Sequence, residues 1–450
     1  MSEVQQLEAQ AGTANLTGAA MPANWTSFLV DSGRRVSPLV VVLIASALVT
    51  VVFWRVLPER FRLNEQSDYS SAYEPVARSL LAGRGFARGD ENPSTGYPPG
   101  YPLVLAGLFG VSNWLGVSEN AALSAFAVIC MALTSMFVFL LARMFWGVLP
   151  ALVSSFIWMT YPFALWLTKQ PNSELPFMVV FYGGLCLFWF ALSRRLSARI
   201  FFLCGLIFGM AMLIRPFAIG VGLVLSAIVW FARRELTRPV RVLMIAMLLL
   251  GNLVAVFPWE AWVYHKTGQV VLLSTNGVKS MRDGLTFAVE SKGYRQDSSL
   301  SPDVVQVMDD IRIHENEITR FSDFRSIISQ EFRSHPIAVS KLLLLKLGRS
   351  WYGTDSQRLE KPTVFIQLAY LALVTWGAWS AWKLGGWHRR FAIGALLMTA
   401  YFWGMTFLAL SILRYMVPVA GLLFVLVGGC YPLRRFGIKA RDEISHGQTI

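Results

Sequence analysis

The chain has 450 residues, of which 55% are hydrophobic and 15% charged, with a formal net charge of +13 and a mean hydropathy of +0.50. This composition excludes an ordinary soluble domain, because continuous apolar runs such as residues 39–54 and 243–256 are typical of membrane-spanning helices and not of a barrel. The arginines lie at the ends of these runs and form no long basic stripe, which indicates membrane anchoring rather than nucleic-acid binding.

The predicted elements begin with a polar tail over residues 1–37, which has no signal-peptide pattern and is expected to be cytoplasmic. Apolar segments long enough to cross a bilayer follow near 38–56, 119–143, 148–167, 175–193, 199–214, 217–232, 241–262, 363–382, 391–409 and 413–432. Residues 102–116 and 336–352 are ambiguous, so the predicted total is about ten to thirteen spans. The predicted fold class is an all-α polytopic membrane protein.

The orientation follows from the positions of lysine and arginine. Most of the clusters, among them Arg34-Arg35, Arg194-Arg195 and Arg434-Arg435, fall on connections that share one side when the N-terminus is cytoplasmic. Arg55, Arg60 and Arg62 lie on the other side, against the positive-inside rule, but the cytoplasmic side still carries more lysine and arginine. The sequence therefore predicts cytoplasmic termini and a non-cytoplasmic face that carries most of the polar loops.

Five regions follow from this topology. They are a cytoplasmic tail at 1–37, an N-terminal transmembrane module at 38–262 with a first outer loop at 57–117, an outer-face region at 263–362, C-terminal transmembrane helices at 363–432 and a cytoplasmic tail at 433–450. The outer-face region has the spacing of one or two amphipathic helices. With modest apolar content, it is expected to rest on the membrane part rather than to fold as a strong independent domain.

The first outer loop is unusual because it is polar, rich in tyrosine and too long for a simple turn. Asp68 follows the first span, and a short amphipathic helix is predicted after it, ending at Gly83 and Gly85. The run Tyr97-Pro-Pro-Gly-Tyr-Pro102 predicts a stiff turn, because proline fixes φ and restricts the preceding residue.

Two carboxylates are candidates for chemistry. Asp68 is either a helix-capping, solvated acid or a general base that takes a proton from an attacking hydroxyl. Glu174 begins a span, where it either complements the helix dipole or acts as a second acid that positions an acceptor or a metal.

Two arginines at span ends form the basic counterpart. Arg215 and Arg414 either extend to the membrane interface or face a polar cavity and bind an anion. The planar guanidinium fork matches phosphate oxygens, which favours a phosphate ligand in the second case.

The remaining polar residues give weaker signals. Glu260 lies at a membrane exit among aromatic residues, and Asn276 lies in a turn-forming run. The cysteines at 130, 186, 204 and 430 fall in apolar segments, which favours small buried hydrophobes. The five histidines are scattered, with no metal-ligand spacing.

An ordered set of motifs resembles a known family. The set comprises Asp68-Tyr-Ser-Ser-Ala-Tyr73, the run Tyr97 to Pro102, Asn-Ser-Glu174, Leu-Ile-Arg-Pro216, Pro-Trp259, Ser-Thr-Asn-Gly277, Gly284, His-Pro336, Lys346-Leu-Gly-Arg-Ser-Trp351 and Arg-Tyr-Met-Val-Pro418. Over about residues 38–435, it resembles the lipid-carrier-dependent glycosyltransferases of the GT-C fold, in the group of protein mannosyltransferases and aminoarabinose transferases.

The resemblance implies a GT-C-type helical bundle and an inverting glycosyltransferase. It implies transfer of a sugar from a polyprenyl-phosphate donor to a hydroxyl of a lipid, glycan or envelope polymer, on the non-cytoplasmic side of a bacterial inner membrane. Its functional residues map onto Asp68 as general base, Glu174 as second acid, and Arg215 or Arg414 as contacts to the donor phosphate. The substrate-binding candidates are Tyr69, Tyr73, Tyr97, Tyr101, Glu260 and Asn276.

One position departs from the family. Some relatives carry an acid and a lysine directly before the double proline, where they contact metal or donor phosphate, whereas this chain has Gly96 and Tyr97. No cofactor is therefore assigned, and a divalent metal is left open. The alternative functions are a lipid-linked-sugar transporter or flippase and an O-antigen-type polymerase; charges near mid-span would favour the transporter.

Overall fold

The computed structural model describes residues 37–61, 68–194, 197–287, 300–318, 320–354, 357 and 359–430. Within these ranges the secondary structure is helical, apart from an isolated bridge between Arg88 and Glu91. The predicted cytoplasmic tails, other than Ser37, lie outside the described residues.

The helices have the following bounds in chain order: α1 Pro38–Val56, α2 Glu74–Leu81, α3 Gly100–Leu115, α4 Glu119–Trp146, α5 Val148–Met159, α6 Pro162–Leu167, α7 Glu174–Arg194, α8 Ala198–Ile214, α9 Val221–Ala232, α10 Arg238–Thr267, α11 Gly277–Asp283, α12 Pro302–Ile313, α13 Phe321–Ser334, α14 Pro336–Arg349, α15 Glu360–Leu384, α16 Gly386–Leu408 and α17 Val417–Val427. A π-helical turn, Tyr69–Tyr73, precedes α2, and 3₁₀ turns occur at Glu59–Phe61, Pro216–Ala218, Leu413–Tyr415 and Gly428–Cys430.

Six of the described helices, α1, α4, α7, α10, α15 and α16, are long and apolar enough to cross a membrane. Shorter apolar segments accompany them at Val148–Met159, Ala198–Ile214, Pro216–Ala232 and Val417–Cys430. The predicted spans coincide with these segments, and the predicted all-α polytopic fold class is confirmed. The two ambiguous segments form α3 and α14, whose 16 and 14 residues are too few to place them among the six.

Helix α17 is the centre of the bundle. All of its residues, Val417 to Val427, are buried, as expected for a helix that is apolar on every side. It packs against α4, α5, α15 and α16. Because the turn Leu413–Tyr415 directly precedes α17, the residues of that turn are held at one end of this buried helix.

Helices α8 and α10 are in unusually close contact through two glycines. A Cβ at Gly205 would lie 2.1 Å from the carbonyl oxygen of Leu248, and a Cβ at Gly251 would lie 2.2 Å from that of Phe202. Small residues allow such backbone approach between membrane helices, where close packing rather than the hydrophobic effect drives association. The interface fixes α8, whose C-terminal end leads to Arg215.

The loop between α1 and α3 contains the predicted short helix, which a π-helical turn precedes. The π-helical turn and α2 bury Ala72, Tyr73, Val76, Ala77 and Ser79, whereas Leu81 is exposed. Gly83 and Gly85 follow with φ of 71° and 77°, conformations that glycine adopts without steric cost, so the helix ends where predicted.

The region over residues 263–362 has a hydrophobic cluster of its own. Helices α12, α13 and α14 pack around buried side chains at Leu285, Val304, Val307, Met308, Ile311, Ile318, Ala338, Val339 and Leu342. We call this unit the three-helix module. The expectation of amphipathic helices holds for α12, whereas Phe321 and Phe332 of α13 are exposed.

Candidate active site

Asp68 lies directly before the π-helical turn and keeps 46% of its side chain exposed. The hydroxyl of Tyr97 donates a hydrogen bond to its Oδ1 at 3.1 Å. The proline turn therefore reaches back to the start of α2 and orients the Asp68 carboxylate. Burial, followed by the charge of Asp68, raises the pKa of Tyr97 above its usual range, so the phenol remains a donor.

Three tyrosine rings stack behind this carboxylate. The ring of Tyr73 lies 4.6 Å from that of Tyr97 and 4.8 Å from that of Tyr101, measured between centroids. Tyr73 and Tyr101 are only 5% and 1% exposed. Of the predicted substrate-binding tyrosines, these two therefore support Tyr97 from behind, while Tyr69 and Tyr97 remain partly exposed.

Glu174 is the first residue of α7 and has no exposed surface. The side chain of Asn172 caps this helix by accepting a hydrogen bond from the Leu175 amide at 3.2 Å. Arg215 pairs with Glu174 Oε1 at 2.8 Å. Arg414 donates to both carboxylate oxygens, through Nε to Oε1 and through Nη2 to Oε2 at 3.1 Å. The buried carboxylate thus holds two guanidiniums side by side.

Arg215 occupies the position where α8 ends. Pro216 follows it and cannot continue the helix, and Arg215 itself has extended backbone angles. Its Nη1 also donates to Ser173 Oγ at 3.0 Å, and its guanidinium lies 5.3 Å from the centre of the Tyr415 ring. The guanidinium of Arg215 is fixed in orientation, because it bonds to both Glu174 and Ser173 and lies over the Tyr415 ring.

Arg414 joins the two carboxylates. Its Nη2 lies 4.0 Å from Asp68 Oδ2 as well as 3.1 Å from Glu174 Oε2. Four of the five predicted charged residues therefore meet in one cluster, which we call the site cluster: Asp68, Glu174, Arg215 and Arg414. They come from a loop and from three helix ends rather than from mid-span positions.

Glu260 and Asn276 have other contacts. Glu260 Oε1 accepts a hydrogen bond from the Leu273 amide at 2.7 Å, and the main-chain carbonyl of Asn276 accepts one from the Ser280 amide at 3.0 Å. Thr275 nevertheless donates its amide to Thr95 O at 3.0 Å. This turn is therefore bonded to the loop segment that leads into Tyr97, while Glu260 bonds to the backbone just before the turn.

Sequence reasoning missed two groups of residues that build the site. Ser173 and Tyr415 contact Arg215 directly, and only their adjacency to Glu174 and Arg414 in the chain could have indicated them. Lys346 and Arg349 of α14 were quoted as a motif without a role. Lys346 Nζ donates to the carbonyl of Ala409 at 3.0 Å, which anchors the segment that leads to Arg414.

The two residues before the double proline, Gly96 and Tyr97, lack the acid and lysine that would contact a metal or a phosphate. Tyr97 bonds to Asp68, and Gly96 has no side chain, so these two residues supply no carboxylate to hold a cation.

Residues 97–262 match the model of the family described as dolichyl-phosphate-mannose-protein mannosyltransferase. The matched segment includes Tyr97, Glu174 and Arg215, and it ends before Arg414. Among curated proteins, no sequence matches the chain.

A solved structure is also similar: the crystal structure of ArnT from Cupriavidus metallidurans bound to undecaprenyl phosphate. The two chains share 13% identity, the similarity covers 86% of this chain and 76% of that one, and the TM-score is 0.41. The family match confirms the resemblance expected from the motifs: over residues 97–262 this chain is similar to the protein mannosyltransferases.

Proposed function

We propose that this chain is an inverting glycosyltransferase of GT-C type, which moves a sugar from a polyprenyl-phosphate donor to an acceptor hydroxyl. One observation carries the proposal: a partly exposed carboxylate, Asp68, lies 4.0 Å from the guanidinium of Arg414, beside a second, fixed guanidinium at Arg215. The match to the mannosyltransferase family supports the same reaction class.

The reaction needs only a base and a cation. The acceptor oxygen attacks the anomeric carbon while Asp68 takes the hydroxyl proton, and the bond from that carbon to the phosphate oxygen breaks with its electron pair left on the phosphate. A lipid phosphate is already a good leaving group and needs no general acid. The two guanidiniums stabilise the charge that develops on it.

Glu174 has a supporting role in this scheme. Since its carboxylate is fully buried and paired with both arginines, it cannot reach an acceptor without breaking those contacts. It balances their charge and fixes their positions, so that no reorganisation is needed when the donor phosphate arrives. Glu174 is therefore a positioning residue in this proposal, and Asp68 alone is the catalytic base.

The placement of charge favours an enzyme over a transporter. The four residues of the site cluster lie at helix ends and in a loop, where a lipid carrier in the outer half of the bilayer and a water-soluble or lipid acceptor can both reach them. We place the site on the non-cytoplasmic face of a bacterial inner membrane, with the acceptor a lipid, glycan or envelope polymer.

The test compares two asparagine variants of the same loop. Asp68→Asn is expected to fold normally and to lose about 100-fold or more in transfer rate, the usual scale for removing a general base. Asp90→Asn removes an exposed carboxylate from the same loop and should retain the wild-type rate. The assay uses purified protein, a panel of polyprenyl-phosphate sugars and envelope lipid extract, and measures release of the free polyprenyl phosphate.

Equal rates for wild type and Asp68→Asn would reject the assigned base. Movement of intact lipid-linked sugar across a sealed vesicle, without cleavage of the sugar–phosphate bond, would instead support the transporter.

A further inference from the structure

The three-helix module contains a cluster of metal-binding side chains that is separate from the site cluster. Asp310 lies on α12, Glu331 on the last turns of α13, and His335 between α13 and α14. One ligand atom from each, two carboxylate oxygens and one imidazole nitrogen, lies within 4.8 Å of the other two.

Glu331 has an unsatisfied atom at the centre of this arrangement. The residue is only 8% exposed, and its Oε2 is buried with no hydrogen-bond partner within the part of the chain that the structure describes. A buried carboxylate without a donor is costly, since the group loses its hydration and gains nothing in return. A bound cation would supply the missing partner.

We propose that Asp310, Glu331 and His335 bind a divalent metal ion, of which Zn²⁺ fits best. Imidazole nitrogen and carboxylate oxygens are ordinary zinc ligands, and zinc accepts a small ligand number with water at the fourth position. A set of three protein ligands that includes one nitrogen fits Mg²⁺ or Ca²⁺ less well, because these cations require six or more oxygen ligands.

The geometry needs only a small adjustment. Tetrahedral zinc bonds of about 2.0–2.1 Å place ligand atoms about 3.3 Å apart. The three atoms already lie within 4.8 Å of one another. Asp310 is half-buried, and His335 follows Glu331 by four residues, which is about one helical turn.

The metal would act as a clamp on the module. It would join α12 to the junction between α13 and α14, and α14 carries Lys346, which holds the segment leading to Arg414. The ion therefore has a structural role in this inference and takes no part in the transfer step.

The experiment uses the full-length protein in detergent, stripped with a chelator and then desalted. Wild type is expected to bind about one Zn²⁺ per chain, measured by elemental analysis after equilibrium dialysis, and to show a higher Tm with the ion. Glu331→Gln and His335→Ala should lose both effects. Asp309→Asn is the matched control, because Asp309 is the neighbouring acid on α12 and lies outside the ligand group.

A second readout separates lost binding from misfolding. Glu331→Gln removes a buried charge, so its Tm without metal should equal or exceed that of wild type, while the increase caused by zinc disappears. The proposal is overturned if stripped wild type takes up no zinc under these conditions, or if Glu331→Gln and His335→Ala bind as much as Asp309→Asn does.

Discussion

Glu174 is a carboxylate without exposed surface that interacts with two guanidiniums from distant parts of the chain. Its pairs with Arg215 and Arg414 are short, and Ser173 adds a further acceptor. A buried ion pair contributes little net stability when compared with apolar residues, yet removing one member leaves uncompensated charge. Replacing Glu174 alone should therefore reduce stability strongly, even though the intact ion pairs add little to it.

Glu174→Gln is therefore expected to destabilise the protein by about 3–5 kcal/mol, because Arg215 and Arg414 would lie beside each other after losing their shared buried counter-charge. Glu119→Gln is the matched control: Glu119 pairs with Arg78 at 2.9 Å at an exposed position, and its loss should cost less than about 1 kcal/mol. Thermal unfolding in detergent measures both. Similar Tm values for the two variants would contradict the structural role given to Glu174.

Lys346 provides a pH-dependent contribution to stability. Burial, and then the neighbouring charge of Arg349, lower the pKa of Lys346 to about 7. An unfolded lysine has a pKa of about 10.4, so between about pH 7 and pH 10 the unfolded chain binds more protons than the folded one. Stability should therefore rise with pH across this window and be lost again as the pH falls toward 7.

The measurement is Tm at several pH values between 6 and 9. Lys346→Met should remove this part of the rise, since it leaves no group to titrate. Lys341→Met is the control on the same helix, because Lys341 lies at the surface and pairs with Asp303 at 2.8 Å. Parallel curves for wild type and Lys346→Met would show that Lys346 keeps its proton in the folded protein.

At the scale of elements, the stiff turn and the start of α3 are fixed against the end of α8. A Cβ at Gly100 would lie 2.6 Å from the carbonyl oxygen of Leu213, two residues before Arg215. The proline turn therefore serves two purposes: it presents Tyr97 to Asp68, and it keeps the backbone before Arg215 in place.

Gly100→Ala is expected to reduce transfer activity at least about tenfold, because backbone atoms on both sides must separate and a shift of about 1 Å at a site can cost up to 100-fold. Gly107→Ala is the control on the same helix, since a Cβ there meets nothing within 4 Å. The readout is the transfer rate of folded, monodisperse protein. An unchanged rate for Gly100→Ala would show that the turn and α8 are not coupled.

The whole molecule presents a wide apolar exterior. Only 17%, 28% and 22% of the hydrophobic windows of α1, α10 and α15 are buried within the protein, against 78% for α7. Helices with this much exposed apolar surface face lipid, whereas α7 and α17 form the interior.

The proposed orientation can be tested by cysteine labelling. The chain's own cysteines at 130, 186 and 204 are buried, which lowers the background, and Cys430 would be replaced by serine. A cysteine at Asp90 should react with a membrane-impermeant maleimide in intact cells, and a cysteine at Arg389 should react only after lysis. The reverse pattern would place the site cluster on the cytoplasmic face.

The sequence determined the elements of this protein. In a bilayer, the backbone groups of a single apolar segment can be hydrogen-bonded only within a helix. A long apolar run therefore forms a helix, and the predicted spans appear as helices. The prolines and glycines of the first loop likewise determined where its short helix ends and where the turn lies, because the proline ring fixes φ and glycine, which has no Cβ, adopts the positive φ that ends the helix.

Only the tertiary structure decided which charges meet. Glu174 and Arg414 are 240 positions apart, and no periodicity relates them. Their contact depends on the burial of α17 among four other helices. The same is true of Asp310 and His335, which show no ligand spacing in the chain and are brought together by the packing of α12 against α13 and α14. The local hydrophobic pattern indicates which side chains are buried. Which partner a buried charge meets depends on how whole helices pack against one another.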